Sequence, residues 1–354
     1  MPKSRSAPRL ADVAARAGVS IATASRSLAG RDGVSEAVAA HVREVARQLG
    51  YVVNVHARTL AGGSTSTVGL IVHEIGDPYF TEIASGVIGV ATKRGFTVQI
   101  CHSGRDPMGE LHQIRTLIAH RTDAIIVAGS GYTDPALQAE SNEVLLAFQE
   151  GGGRVAVIGR HFLTADAVRP DNEAAGRAIA AHLLELGHRR IGVLAGPPIL
   201  TTVADRLAGV DAALQPYGLR LAEGPLAGPS ISTALPVVHT DFTRGGGYAG
   251  AEELLRNHPD VTALIALNDA MAIGVLSLLR GRGIAVPQGI SVAGVDDVAV
   301  AADLAPSLTT VRLPMTEMGE MALLMALKPP SARPRRRSTG HQLIVRDSTS
   351  PVTH

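Results

Sequence analysis

The sequence predicts an α/β protein: a small all-helical head, then a larger core of doubly wound parallel sheets in two lobes. Three observations predict it. The first fifty residues place apolar side chains at helical spacing. From Val68 onward, short continuous apolar runs alternate with helical segments, the mark of parallel strands covered on both faces. A chain of 354 residues also suits two or three domains better than one.

In the head, Leu10, Val13, Ala14 and Ala17 form an apolar stripe, and Gly18 is placed to stop that helix in a left-handed conformation. Val19 fills the angle of the turn. Ser20 stands at an N-cap, and Ile21, Ala24 and Leu28 carry the stripe of a second helix. The outward face of that helix offers Ala22, Thr23, Ser25 and Arg26, small groups plus one guanidinium. This is the pattern of a helix-turn-helix, whose second helix enters the DNA major groove with its N-terminal residues first. Ser35 is placed to cap a third helix that runs to about Leu49, with Ala39, Val42, Val45, Ala46 and Leu49 facing the first two, and Gly50 ends it. Tyr51 to Asn54 reads as extended, and Asn54 can cap the short segment VHARTLA.

Charge separates head from core. Residues 1–60 hold nine Lys/Arg and four Asp/Glu, so the head carries +5 and the rest −4 within a net +1. A basic head on a mildly acidic body suits a protein that binds DNA through the head alone. Aromatic residues are 3% with no Trp, so the cores rest on Ala, Val, Leu and Ile. A single cysteine, Cys101, excludes an internal disulfide and fits a reducing cytoplasm. No run approaches the ~20 apolar residues of a membrane span, and MPKSRSAPRL lacks the apolar segment of a secretory signal. The expectation is a soluble, cytoplasmic protein.

In the core, the strands expected are VGLIV, FTVQIC, AIIVAG and VAVIG, then RIGVLAG, PVVHT, ALIALN and SVAGVD. The helices between them fall near 79–94, 108–120, 141–150, 173–186, 204–215, 247–257 and 269–281. The two halves join around Arg169–Asn172, and KPPSARPRRRSTG reads as a solvent-exposed loop.

The run D-V-A-x-x-A-G-V-S-x-x-T-x-S-R, Asp12 to Arg26, resembles the opening of the lactose/galactose-repressor family of bacterial transcription regulators. The similarity continues through GVSEAVAAHVREVARQLGYVVN and ARTLAG, then PDNEAAG, GHRRIGVLAGP, DRLAG, ALNDAMAIG, ISVAGVDD, LTTVR and LIVRDSTSP, nearly the whole chain in the family's order. The resemblance implies a periplasmic-binding-protein-like core. It divides the chain into a DNA-binding domain over 1–50, a hinge over 51–67, an N-subdomain over 68–168 and 298–326, and a C-subdomain over 169–297 and 327–350. It places Leu10, Ser20, Ile21, Ala22, Thr23, Ser25, Arg26, Tyr51, Asn54, Ala57 and Leu60 on DNA. Leu60 matches a leucine that wedges the minor groove as a pair, and Ala57 the small residue that permits close approach. The family's usual proline before the asparagine is Val53 here.

For the cleft between lobes, the resemblance points to Tyr79, Phe80, Ser130, Arg160, Arg206, Phe242, Asn268, Asp269 and Asp296 as effector contacts. All lie just after strand ends, where ligands bind in open parallel sheets. Arg206 and Asp269 would grip hydroxyls, and Phe80 and Phe242 would wall a flat ring. Leu200 and Leu313 stand where purine-binding or other members carry arginine or glutamine, which leaves a sugar or related polyol as the small-molecule effector.

Catalytic and cofactor chemistry finds little support. Gly245, Gly247 and Gly250 spell G-x-G-x-x-G with Asp269 nineteen residues on, but Thr240–Arg244 intervenes between strand and helix, which displaces the helix N-terminus that must meet a pyrophosphate. His73–Glu74 has no second histidine one turn away, and there is no nucleophile elbow or Walker loop. The expectation is therefore no enzyme, no metal and no cofactor. The chain reads as a homodimeric repressor that binds double-stranded operator DNA and a small effector. The competing reading, a solute-binding protein of a transport system, leaves the basic helical head without a role.

Overall fold

The computed structural model describes residues 8–29, 32–51, 67–222, 233–329, 331 and 333–352. The chain forms two units, Met1–Ser66 and Thr67–His354.

The head consists of α1 (Leu10–Ala17), α2 (Ile21–Ala29) and α3 (Glu36–Leu49). Gly18 and Gly50 both end helices at φ near +65°, where a side chain would be strained, and Val19 N–H and Tyr51 N–H reach back to the carbonyls of Ala14 and Ala46. Ser20 caps α2 as expected: its Oγ accepts from Thr23 N–H at 3.1 Å. Ser35 holds the N-cap position of α3 but its side chain makes no capping bond. Val13, Ala14, Ala17, Ala24, Val42, Val45 and Ala46 form the head's core. Ile21 is not part of it. That side chain is 56% exposed, and the inner face of α2 is completed by Ser27, whose hydroxyl is satisfied by the Thr23 carbonyl at 2.8 Å.

The larger unit begins with β1 (Thr67–Val72), α4 (Pro78–Lys93), β2 (Thr97–His102), α5 (Pro107–Ala119), β3 (Ala124–Ala128), α6 (Ala139–Glu150), β4 (Arg154–Ile158) and β5 (Asp166–Pro170). The second half follows as α7 (Asn172–Glu185), β6 (Ile191–Ala195), α8 (Thr201–Leu214), β7 (Arg220–Leu221), β8 (Ala234–Leu235), β9 (Val237–His239), α9 (Arg244–Asn257), β10 (Ala263–Ala266), α10 (Asp269–Gly281) and β11 (Ser291–Ala293). The chain ends with β12 (Thr310–Arg312), α11 (Met315–Ala326), β13 (Arg336–Thr339) and β14 (Gln342–Ile344). The first lobe's sheet runs β13-β5-β4-β3-β1-β2 and the second lobe's β11-β10-β6-β9, each parallel throughout. Their central strands are fully buried, which is why they read as unbroken apolar runs.

The chain's return between the lobes runs through β12 and β14. Residues from Val298 to Thr309 stay with the second lobe, held by Val298 N–H on Asp269 and Gly294 N–H on the Thr309 carbonyl; the crossing is made by β12. The segment KPPSARPRRRSTG is not a free loop. Arg335 is pinned to Asp166 at 2.7 Å, and β13 adds an edge strand to the first sheet beside β5. The chain reaches the second lobe again through β14, antiparallel to β12, at the start of the stretch LIVRD.

Gly247, the middle glycine of G-x-G-x-x-G, has a packing role. A Cβ on Gly247 would lie 2.1 Å from the Met271 carbonyl oxygen, and one on Gly274 would lie 2.1 Å from that of Arg244. The pair lets α9 and α10 cross backbone to backbone. Gly86 with Gly319 does the same for α4 and α11, and Gly176 with Gly209 for α7 and α8.

Candidate nucleic-acid interface and ligand cleft

The exposed face of α2 is built from its cap outward. Ser20 Oγ also meets Thr23 Oγ1 at 2.9 Å, which orients the first turn. Ile21, Ala22 and Arg26 are exposed, with Thr23 and Ser25 half-buried beside them. Leu10 and Tyr51 instead pack against the head's apolar core. Asn54, Ala57 and Leu60 lie outside the described residues. Small side chains surrounding one guanidinium let a helix sit close to base edges, where arginine is the commonest specific reader.

In the larger unit, loops at the C-terminal ends of the strands from both lobes converge on one cleft pocket. Tyr79, Phe80, Ser130, Arg206, Phe242, Asn268 and Asp296 line it. Asp77, Arg105 and His73 line it too, and sequence reasoning did not place them there. Asp77 was legible as the N-cap of α4, which it is: its Oδ1 accepts from Tyr79 N–H at 3.1 Å. Arg105 had no signal, because it reaches the cleft from a left-handed turn at φ 59°.

Arg206 is the fixed centre. It is 2% exposed, and its guanidinium donates to Asn172 Oδ1 at 3.0 Å, to the Leu267 carbonyl and to Asp296 Oδ1 at 2.7 Å. Burial pushes the Asp296 carboxyl up to about 7, against the opposing pull of Arg206. Across the cleft, Arg105 contacts Asp77 Oδ2 at 3.5 Å and donates to the Phe242 carbonyl at 3.4 Å, with its guanidinium 5.9 Å from the Phe242 ring centroid. Burial lowers the Arg105 pKa. Gly196 leaves room for that ring, since a Cβ there would sit 2.7 Å from it. Tyr79 and Phe80 meet edge to face at 5.0 Å. Asn268 caps α10 through Met271 N–H at 2.8 Å, and its amide also donates to the Phe242 carbonyl.

Two expected contacts lie elsewhere. Asp269 is fully buried and is not among the residues lining the pocket; its oxygens accept from Val298 N–H at 3.0 Å and Thr310 Oγ1 at 2.6 Å. It ties the crossover strand to α10. Arg160 forms a two-pronged pair with Asp205, at 3.1 and 2.7 Å, and joins the lobes beside the pocket. Ser130 works on the same seam, accepting from Thr202 N–H at 2.8 Å. Leu200 lines the cleft, whereas Leu313 is core.

Comparison with known proteins finds matches in both the head and the larger unit. Residues 9–54 match the model of bacterial regulatory proteins of the lacI family, and residues 180–349 match a periplasmic binding protein-like domain. The HTH-type transcriptional regulator DegA of Bacillus subtilis (strain 168) is 32% identical over 352 residues, covering 96% of this chain and 98% of DegA. Among solved structures, a transcriptional regulator CelR–cellobiose complex is 30% identical with a TM-score of 0.68, covering 96% of this chain and 99% of that one. A lacI-family transcriptional regulator from Enterococcus faecium with bound ribose is 25% identical with a TM-score of 0.69, covering 81% and 100%.

Proposed function

The chain belongs to the lacI family of bacterial regulatory proteins, and from that premise we propose a sequence-specific DNA-binding repressor switched by a sugar between its core lobes. The observation that carries the reading is the exposed face of α2, with Arg26 among small side chains on a basic head. Arg26 reads bases, while Ser20 and Thr23 hold phosphate. Leu60 wedges the minor groove, with Asn54 and Ala57 shaping its approach. A regulator of DNA works in the cytoplasm.

The ligand site is the cleft. Its aromatic walls suit a ring face, and its polar groups suit hydroxyls. The relatives solved with cellobiose and ribose support a sugar. A ligand touching Arg206 and Phe242 in one lobe and Tyr79 and Asp77 in the other binds the closed cleft best. Only such differential affinity can shift the protein between operator-competent and weak-binding forms.

The working form is a homodimer. Ile75, Ile88 and Ile100 are exposed around an apolar groove that also includes Val72, Ala84 and Thr81. We assign that groove to a second copy of the chain, because a two-fold pair of heads is what a symmetric operator requires. Selection of bound duplexes from a random DNA pool tests this. The expected product is a pseudo-palindrome with two half-sites, and enrichment of a single asymmetric site would contradict it.

A further inference from the structure

Behind the first-lobe wall of the cleft lies a layer of buried polar atoms without partners in the protein. His73 lines the pocket, yet its Nε2 is buried and unpaired, 3.9 Å from an equally unpaired Glu110 Oε2. The hydroxyls of Tyr132 and Ser103 are buried and unpaired as well. His73 neighbours Glu110 and Tyr132, and the Ser103 backbone is tied to the residue before it. The Tyr132 ring stacks on His73 with centroids 6.5 Å apart, and Ser103 N–H bonds the carbonyl of Val72, next to His73 in the chain. Neighbouring groups are already used: Gln138 bonds the His161 ring at 3.1 Å and also the Glu110 carboxyl, which leaves Oε2 alone unpaired, and the His161 ring bonds the Gly129 carbonyl at 3.0 Å. An orphaned buried polar atom has given up its hydration without a bond in return. Four of them beside a ligand pocket ask for something that bonds them.

The charges around the pocket are closed among themselves. Arg206 is paired with Asp296 and Arg105 with Asp77, so among the described lining residues no guanidinium is left for an anion. Burial pushes His73 down to about 3, which keeps its imidazole neutral, and raises Glu110 to about 7.

This inference rests on the sugar-switch reading. We propose that His73, with Glu110, Tyr132 and Ser103 behind it, forms a subsite for an uncharged, hydroxyl-bearing end of the ligand, so that the effector is a neutral sugar and not a sugar acid or sugar phosphate. A hydroxyl both donates and accepts, so it can serve an imidazole and a carboxyl together, directly or through one ordered water. A carboxylate or phosphate only accepts, and it would bring negative charge beside Glu110 with no cation to offset its desolvation.

The test is calorimetric titration of the full chain with three pairs of probes: cellobiose and cellobionate, D-ribose and D-ribose 5-phosphate, D-glucose and D-glucuronate. A neutral member is expected to bind, and its anionic counterpart at least about tenfold more weakly, a difference of about 1.4 kcal/mol. Tyr132→Phe is expected to weaken that sugar by about tenfold. It should not lower the melting temperature of the ligand-free protein, because the hydroxyl it removes has no partner. His73→Phe is expected to weaken the sugar at least as much. An anion that binds as tightly as its neutral counterpart overturns the inference. So does unchanged sugar affinity in both variants, or a Tyr132→Phe protein that loses stability while keeping its affinity. A panel in which nothing binds overturns the sugar reading and the inference with it. A sugar that binds as described but leaves the operator complex intact overturns the switch alone.

Discussion

Arg26 is exposed on α2, where a guanidinium has the reach to fork onto a guanine edge. Arg26→Ala is expected to lose roughly 1–3 kcal/mol of discrimination between operator and scrambled duplex at fixed salt. Equal weakening on both would make it a phosphate clamp. Glu110 carries a pH prediction. Its carboxyl is raised from 4.5 to about 7 by burial, so the folded state keeps a proton that the unfolded chain gives up. Its contribution is fully present below about 4.5 and is lost as pH rises toward 7. Glu110→Gln should therefore melt near the parent at pH 4.5 and above it at pH 8. Two melting curves that stay parallel across that range would contradict the assignment. His73, depressed to about 3, acts oppositely in parent and variant alike, so the difference isolates Glu110. Spacing after strand ends pointed to Arg206, Phe242 and Asp296, which line the pocket, and equally to Asp269, which does not, because a buried carboxylate bonded to Val298 N–H and Thr310 has the same sequence context as one that faces a cleft.

Helices and buried strands were legible because burial on both faces leaves an apolar run with few polar interruptions. One stretch that escaped notice, β13, lacks that mark. β13 is an exposed edge strand whose pairing is made by backbone and by Arg335 on Asp166, so RRST looks like loop. α11 does carry apolar side chains at helical spacing, Met315, Met318, Ala322, Leu323 and Met325, and was recoverable from periodicity alone. Ile21 shows the converse, an apolar residue at the right spacing that faces solvent. At this scale α4 makes the third prediction. Ile88 lies on its exposed side, next to Ile100 of β2. Ile88→Asp should leave the fold intact, since the residue is 42% exposed, and shift the chain from dimer to monomer by light scattering. A variant that remains dimeric would move the interface to another face.

Over the whole molecule, charge and topology divide the work. The head carries +5 and the rest −4, so DNA is attracted to one end of the chain. The larger unit is crossed three times between lobes, after β5 and by β12 and β14. Those crossings are tied by Asp297 to Arg312 at 2.7 Å and to Arg346 at 2.6 Å, and by Asp269 to Thr310. Lobes joined in this way can open and close about a common axis while each sheet stays intact, which is the motion a cleft ligand can bias. Coupling between cleft and head is read by fluorescence anisotropy of the full chain on its selected operator, titrated with the neutral sugar that binds the cleft. The parent is expected to change operator affinity saturably, at the sugar's own binding midpoint and by about 5–150-fold. Tyr132→Phe should move that midpoint about tenfold higher without altering operator affinity in the absence of sugar. An operator affinity that stays flat while the cleft fills would contradict the account.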